Sequence, residues 1–435
     1  MSVSARDPRA AARSVPSGDE LARIRRRTTW VLVAGQVIGG LGVPISIALA
    51  PVLATEVSGT EAFAGLASTA SVAGTALLSL PLAALMTTRG RRIGLVVAYL
   101  VGALGAGGVV LAAVIGSFPL LLLGMATFGA ASAANLQARF AAADLAEPDH
   151  RARAISIVVW ATTLGAVIGP NLSAPAGRAF ADGSIPPAAG PFLWAAGIFL
   201  LTALLIWLLL RPDPLLTARV LSGEDGLPRP TARGSLRAGS AAVWASPRAR
   251  LALVTVTVAH TTMVSIMVMT PLHLAHHGAD LTLIGLVISG HIAGMYAFSP
   301  VMGWLADRVG RFTVIGLSAG LLAVAAALAG TSGTSHGQNA AGLFLLGLGW
   351  SAGLVAGSAL LTDSVPQSAR AAVQGLSDLC SNAAAGVGGA VAGVIVAQAG
   401  YGWLNAAGAA LVLPLVVLAL FTARGRPAAG AEPVG

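Results

Sequence analysis

The feature that most constrains this chain is the length of its apolar segments, because a helix needs about 20 consecutive apolar residues to cross a bilayer core. The predicted spans are residues 30–50, 62–86, 93–115, 118–142, 154–176, 190–210, 250–274, 281–304, 312–330, 340–361, 371–396 and 401–422. Charged residues make up 10% of the chain, against about a quarter of an average soluble domain. The sequence therefore predicts an all-α membrane protein with twelve transmembrane helices, surrounded by a lipid bilayer.

The twelve spans form two sets of six, separated by a stretch rich in Pro, Gly, Ser and Arg. This stretch lacks apolar periodicity and is interpreted as a cytosolic connector. The predicted order is a cytosolic tail, a six-helix bundle, a cytosolic linker, a second six-helix bundle and a cytosolic tail, at residues 1–29, 30–210, 211–249, 250–422 and 423–435. The polar N-terminal tail has no apolar signal segment of its own, so we expect the first span to remain as an anchor.

The distribution of arginine predicts the orientation. The 26 basic residues are all arginine, and every one except Arg178 falls on the cytosolic side if the N-terminus is cytosolic. This asymmetry follows the positive-inside rule and accounts for the net charge of +9, so it argues against a nucleic-acid partner. The absence of lysine is typical of a GC-rich bacterial genome. We expect a bacterial cytoplasmic membrane protein with both termini in the cytosol.

The two halves of the chain repeat. Gly90-Arg91 recurs as Gly310-Arg311, and the segment 144–151, which begins with Asp and ends with Arg, recurs at 363–370. Both landmarks give an offset of about 220 residues, so they indicate one internal duplication. Parallel six-helix repeats are typical of a carrier that opens alternately to either side, with its substrate site at mid-membrane between the halves.

The end of the eighth span carries the segment Gly303-Trp-Leu-Ala-Asp307-Arg308-Val-Gly310-Arg311. This segment resembles the cytosolic loop motif of the major facilitator superfamily, and the resemblance extends to the twelve helices, the six-plus-six repeat and the linker. It implies a secondary transporter, not an enzyme, for a small molecule or a metal ion. The chain has no Walker-type Gly-x4-Gly-Lys-Ser/Thr sequence, which argues against an ATP-driven pump. We expect a monomer without a cofactor.

The loop motif is interpreted as a cytosolic gate. Gly303 permits close helix contact, and Gly310 permits a tight turn. Asp307 can accept hydrogen bonds from the start of a neighbouring helix and pair with an arginine, for which Arg370 is the candidate. Such charges would hold the cytosolic side shut in one state. The alternative is a solvated turn whose charges only set topology.

The first-half copy of the motif is degenerate, because Thr87 stands where the aspartate is expected. Gly90, Arg91 and Arg92 remain. Any latch in the first half is therefore expected to be weaker or differently built.

The fifth span carries Gly165-Ala-Val-Ile-Gly169-Pro170, which is similar to a signature of drug:proton antiporters in this superfamily. Glycines four residues apart let helices approach closely, and Pro170 can bend the helix. The segment is interpreted mainly as a packing motif. The antiporter pattern is incomplete, because the first span has no acidic residue and Met125 occupies the place where that class usually has arginine.

Two pairs of soft donor groups lie in the seventh and eighth spans. Met263 and Met267 are four residues apart, as are His291 and Met295, so each pair shares one helix face. Thioethers and imidazoles are suitable ligands for copper. The pattern resembles that of CcoA-type copper importers, whose proposed ligands correspond to these four residues. Copper uptake is therefore the specific hypothesis, with copper as the substrate.

Other interpretations of these residues stay open. A methionine pair often fills an irregular core, and a deep histidine is often a hydrogen-bonded interior group or a proton relay. His260 and Asp378 are candidates for a proton or substrate relay, which would suit proton-coupled efflux of drugs or metabolites. The polar residues inside the spans, most of them amides or near the cytosolic end, are Gln36, Asn135, Gln137, Arg139, His260, His291 and Asp378. A histidine cluster at 273–277 would either pre-concentrate a cation or belong to a solvated loop.

Overall fold

The structure is a computed structural model that describes residues 17–60, 63–178, 185–223 and 232–424. Within these ranges the side chains at 44–48, 64–65, 166–167, 169–178, 232–236, 281–282 and 419–424 are not described. The regular secondary structure of the described residues is entirely helical.

Six long helices form the first half: α1 (Gly18–Ser58), α2 (Ala64–Arg89), α3 (Arg91–Ile115), α4 (Phe118–Asp144), α5 (Arg151–Arg178) and α6 (Gly190–Leu209). Two short helices form the linker: α7 (Pro214–Leu221) and α8 (Ala232–Ala245). The second half contains α9 (Pro247–His276), α10 (Leu281–Tyr296), α11 (Ser299–Val309), α12 (Arg311–Gly330), α13 (His336–Asp363), α14 (Arg370–Ala399) and α15 (Tyr401–Arg424). Ten segments of the described residues are long and apolar enough to cross a bilayer, and α1 and α5 complete the twelve-helix fold.

The eighth predicted span is two helices. α10 ends at Tyr296 and α11 begins at Ser299, with Pro300 in its first turn. Proline has no amide N–H to donate to the preceding turn, and its ring clashes with that turn, so a continuous helix would be strained here. The break separates the predicted metal-ligand residues on α10 from the predicted gate residues on α11.

The linker also differs from its predicted description as an irregular connector. Asp213 accepts hydrogen bonds from the backbone N–H groups of Leu215 (3.0 Å) and Leu216 (3.1 Å), which caps the start of α7. Pro214 in the first turn favours the helix because its missing N–H would have no helical partner there. Each helix buries an apolar face, which includes Leu215 of α7 and Val243 of α8, so both are short amphipathic helices.

One end of the molecule carries an arginine at the start of four helices, at Arg91, Arg151, Arg311 and Arg370. We call it the arginine-rich end. The turns into α3 and α12 contain Gly90 (φ +91°) and Gly310 (φ +95°), a conformation that favours glycine because a Cβ would be strained. The two glycines are the equivalent positions of the duplication, so the repeat seen in the sequence corresponds to a repeated turn.

The two halves meet at two equivalent seams. At the α5–α11 seam, a Cβ added to Gly303 would lie 2.1 Å from the hydroxyl oxygen of Ser156. At the α2–α14 seam, a Cβ added to Gly375 would lie 2.3 Å from the Cβ of Ala83. The missing side chains therefore let the backbones of the two halves approach closely.

Candidate substrate site and gate

A buried ion pair joins the halves. Arg139 on α4 donates to a carboxylate oxygen of Asp378 on α14 at 2.7 Å, and the two side chains are only 3% and 0% exposed. The other carboxylate oxygen of Asp378 accepts from the side-chain amide of Gln137 at 2.6 Å. The Nε of Arg139 lies 3.3 Å from the hydroxyl of Ser358 on α13. Because a buried charge is costly unless it is paired, Arg139 of the first half and Asp378 of the second half each need the other in this state.

The ion pair continues as a network towards the arginine-rich end. Arg91 is fully buried and donates to Asp144 at 2.8 Å and to the side-chain oxygen of Gln137 at 3.0 Å. It also donates to Gln374 on α14, across the interface. The formal charges of the network, two arginines and two aspartates, cancel. Each charged group has an opposite charge within direct contact, as burial requires.

An aromatic cluster lies deeper in the second half. The indole N–H of Trp350 on α13 donates to Nδ1 of His260 on α9 at 3.0 Å. The ring of Tyr296 meets the ring of Trp350 edge-on, with centroids 5.4 Å apart. Ser358, which Arg139 approaches, follows Trp350 by eight residues on α13, so the guanidinium lies about 12 Å along that helix from the cluster. We call Trp350, His260 and Tyr296 the aromatic trio; they lie about 20 Å from the arginine-rich end, at ~1.5 Å per helical residue.

The predicted ligands on α10 face α13. His291 is fully buried, and its Nδ1 lies 2.7 Å from the backbone oxygen of Leu343. A Cβ added to Gly347 of α13 would lie 2.4 Å from the backbone oxygen of His291 and 2.9 Å from the amide nitrogen of Met295. This side of α10 is therefore packed against α13, and α10 touches α9 only over a short stretch.

The predicted ligands on α9 belong to the apolar core of the second half. Met263 is 3% exposed in that core, and Met267 packs partly buried against it. Ala259, one turn before Met263, meets Gly353 of α13. Within the described residues there is no group of three or more His, Cys, Asp or Glu side chains that could hold a metal. These contacts give the copper prediction no support.

Asp307 holds the α5–α11 seam. Its carboxylate accepts from the backbone N–H groups of Ala152 (3.2 Å) and Arg153 (2.9 Å) at the start of α5, as an acceptor at a helix N-terminus does. Its ion-pair partner is Arg311, at 3.1 Å. The expected pairing with Arg370 is wrong, because Arg311 follows Asp307 by four residues and the turn between them folds it back.

The gate contains further contacts between the halves. Arg311 lies 3.2 Å from Asp363 and donates to the backbone oxygen of Pro148 in the first half. Arg151 of the first half pairs with the same Asp363. Among the described residues, the hydrogen bonds that join the halves are concentrated towards the arginine-rich end, so the structure represents a state closed at that end.

The remaining predicted positions make other contacts. Arg370 donates to the backbone oxygen of Thr362 at 3.1 Å and to the side chain of Gln367. Arg308 lies over the ring of Trp304, 5.1 Å from its centroid. Gly165 packs closely on α1, where a Cβ would lie 2.5 Å from the backbone of Gly40. The backbone at Gly169 and Pro170 is part of α5, and the side-chain surroundings of both residues lie outside the described ones.

Sequence reasoning missed the residues that build the site. Arg139 and Gln137 were set aside because they lie near the predicted cytosolic end, and Trp350 and Tyr296 were not singled out. The signal that could have found Arg139 is its position in an apolar span, where an arginine requires a partner. Asp378, in the predicted span 371–396, carries the opposite charge and is therefore the candidate partner.

The comparisons with known proteins assign the family. The sequence profile of the Major Facilitator Superfamily matches residues 31–275 and again residues 251–435. The uncharacterized MFS-type transporter YdeG of Bacillus subtilis is 39% identical over 417 residues, covering 95% of each chain. The riboflavin transporter RfnT of Brucella anthropi is 30% identical over 399 residues, covering 91% of this chain and 94% of that protein.

The fold agrees with these relatives. The solved structure of the proton:xylose symporter XylE has the same fold, with a TM-score of 0.71 at 15% identity over 93% of this chain and 96% of that one. The chain belongs to the Major Facilitator Superfamily. It is therefore a multi-pass membrane transporter and not an enzyme.

Proposed function

We propose that this transporter moves a planar organic molecule with polar groups across the bacterial cytoplasmic membrane, and that the molecule binds between the halves at the aromatic trio and the Arg139–Asp378 pair. The observation that carries the proposal is the buried ion pair across the interface, which contacts α13 about two helical turns from the aromatic trio. Aromatic faces bind planar rings by stacking. The guanidinium and the carboxylate can exchange their mutual hydrogen bonds for bonds to a polar ligand.

The similarity to a riboflavin transporter supports this substrate class. Riboflavin has a planar heterocyclic ring system with carbonyl and N–H groups at its edge and a hydroxylated side chain. Its ring suits the aromatic trio, and its polar edge suits Arg139 and Asp378. A riboflavin-like heterocycle is therefore the first substrate to test.

We place the arginine-rich end in the cytosol, because arginine is enriched on the cytosolic side of membrane proteins. Both termini are then cytosolic, and we expect the state closed at the arginine-rich end to be the one that opens towards the outside. The substrate would bind from the outside in this state and leave after the halves part at the arginine-rich end. We propose uptake as the direction and a monomer as the working unit.

The experiment is uptake of labelled riboflavin into right-side-out membrane vesicles that contain the chain. Accumulation above vesicles without the chain, lost in Arg139→Gln, is the expected result. Arg26→Gln is the matched control, because this exposed arginine lies near the start of α1, away from the interface. A wild-type rate in Arg139→Gln would refute the proposed site. Absence of uptake, with accumulation of another heterocycle in a competition panel, would change the substrate and keep the site.

Copper remains the second candidate because of one observation. The Nε2 atom of His291 is buried and has no hydrogen-bond partner among the residues that the structure describes, while Nδ1 contacts the Leu343 carbonyl. If Nδ1 carries the proton, Nε2 is an electron-pair donor of the kind that a metal needs. Metal content of cells with the intact chain, compared with the His291→Ala and Met263→Ala variants, tests this. The same copper content in cells with the intact chain and in cells with either variant would refute the copper hypothesis.

Proton-coupled efflux of drugs is the remaining alternative. It requires a titratable relay, for which His260 and Asp378 were the candidates. Asp378 lies in the interface ion pair, where protonation would break a contact between the halves. Raised drug sensitivity on deletion, together with unchanged riboflavin uptake, would favour efflux over the proposed function.

A further inference from the structure

The two seams between the halves are closed by different groups at the arginine-rich end. On the α5–α11 seam, Asp307 reaches across and accepts from the first N–H groups of α5. The equivalent residue on the α2–α14 seam is Thr87, whose hydroxyl donates to Ala83 within its own helix at 2.8 Å. Thr87 therefore does not perform the role of Asp307, and the seam must be held in another way.

Helix α7 of the linker is bound at both of its ends to the turn between α2 and α3. Asp213 accepts from the backbone N–H of Arg92 at 2.7 Å, and its carboxylate lies so close to Gly90 that a Cβ there would be 2.4 Å away. Arg219, which is buried, donates to the backbone oxygen of Thr87 at 2.8 Å. The linker thus supplies a carboxylate and an arginine to the turn whose own motif is degenerate.

Helix α8 lies across the α2–α14 seam. A Cβ added to Gly239 would lie 3.1 Å from the backbone carbon and oxygen of Ala372, in the first turn of α14, and α8 also contacts α2. Val243, one turn later on the same face, is buried in the core of the second half. By the internal duplication, Ala372 is the equivalent of Arg153, whose N–H binds Asp307 on the other seam. Helix α8 therefore packs on the residue of α14 that is equivalent to the one whose N–H binds Asp307 on the other seam.

We propose that α7 and α8 together form the latch of the α2–α14 seam. Helix α7 anchors the linker to the first half, and α8 presses on the start of α14 in the second half. For the arginine-rich end to open, α14 must separate from α2. Because α8 is seated on α14 and α9, this movement breaks the contact of α8 with α2 and the contact of α7 with the turn at 367–369 that precedes α14. The linker therefore stabilises the state closed at the arginine-rich end. This inference depends on alternating access and not on the identity of the substrate.

The test measures how readily the arginine-rich end opens. Ala143 is fully buried near the end of α4 and belongs to the core cluster of the second half, so a cysteine there reacts only when the halves part. The reporter is Ala143→Cys with Cys380→Ser, which removes the native thiol. A membrane-impermeant maleimide is added to inside-out vesicles. We expect Gly239→Leu to raise the labelling rate at least about fivefold, because the larger side chain separates α8 from α14.

Two controls make the result specific. Ala241→Leu adds the same side chain on the exposed face of α8 and should leave labelling unchanged. Leucine favours a helix more than glycine does, so Gly239→Leu does not act by unfolding α8. Asp307→Asn weakens the other seam and must raise labelling, which shows that the reporter responds.

Unchanged labelling in Gly239→Leu, with a response to Asp307→Asn, would overturn the proposal. An equal rise in Ala241→Leu would also overturn it, because the effect would not depend on the contact with α14. If Gly239→Leu does not fold, Arg219→Gln tests the other end of the latch, since it removes the bond to Thr87. Labelling at the rate of the unmodified reporter chain in Arg219→Gln would then refute the latch. None of these outcomes bears on riboflavin transport.

Discussion

The contribution of the Arg139–Asp378 pair can be tested by separating its charge from its shape. Asp378→Asn keeps an acceptor for Gln137 but leaves Arg139 as a buried charge without its partner. Removing one partner of a buried ion pair costs about 3–5 kcal/mol. The pair joins the halves in the described state, and opening would separate Arg139 on α4 from Asp378 on α14, so we expect this cost to destabilise the state closed at the arginine-rich end. Since ~1.4 kcal/mol is a tenfold change, the equilibrium should shift by at least about a hundredfold towards opening.

The assay is the labelling rate of the cysteine reporter at Ala143, measured with the thermal unfolding of the purified chain as a check on folding. Asp378→Asn should be labelled far faster than the unmodified reporter chain. In the double variant Asp378→Asn with Arg139→Gln, the labelling rate should fall most of the way back to that of the unmodified reporter chain, because a neutral pair leaves no uncompensated charge. The reasoning fails if the double variant is labelled as fast as Asp378→Asn, or if Asp378→Asn has no effect on labelling.

Three further predictions follow from the contacts. Gly303→Ala should reduce transport at least about tenfold, because its Cβ meets Ser156, and adding Ser156→Gly should restore most of the rate in an uptake assay. Trp350→Phe should lower the free energy of unfolding by about 1–3 kcal/mol, because it leaves a buried ring nitrogen of His260 without its donor; thermal unfolding of the purified protein measures this. Thr87→Asp, added to Gly239→Leu, should lower the labelling rate of the cysteine reporter compared with Gly239→Leu alone, because it places a carboxylate at the α2–α14 seam.

The fold could be predicted from the sequence because its determinants are local. Apolar length locates the helices, and the two Gly-Arg turns locate the duplication without any knowledge of distant contacts. The acceptor role of Asp307 at a helix start also follows from local chemistry. Its partner does not, since the choice between Arg311 and Arg370 depends on how the α11–α12 turn folds back. Pro300 indicates the break in the eighth span from the sequence alone, because proline is unfavourable inside a continuous helix.

The candidate site could not be predicted in the same way, because it depends on which helices are neighbours in space. A four-residue spacing places His291 and Met295 on one face of α10, but it does not say which helix that face meets. In the structure α10 packs mainly against α13, whereas α9 packs against α14 and α13 and meets α10 only over a short stretch. Arg139 and Asp378 lie in different halves, so only the packing of the whole molecule shows them as a pair.

The glycine contacts at the seams have a consequence for how the duplication is maintained. At one seam the glycine is on α11 and the serine on α5; at the other the glycine is on α14 and the alanine on α2. The smaller partner has thus changed sides, although the two contacts are equivalent in the repeat. What each seam requires is a total volume that two helices share, and not a given residue on a given helix. Substitutions at such positions should therefore be judged in pairs, since a change that is harmful alone becomes acceptable when the opposite residue shrinks.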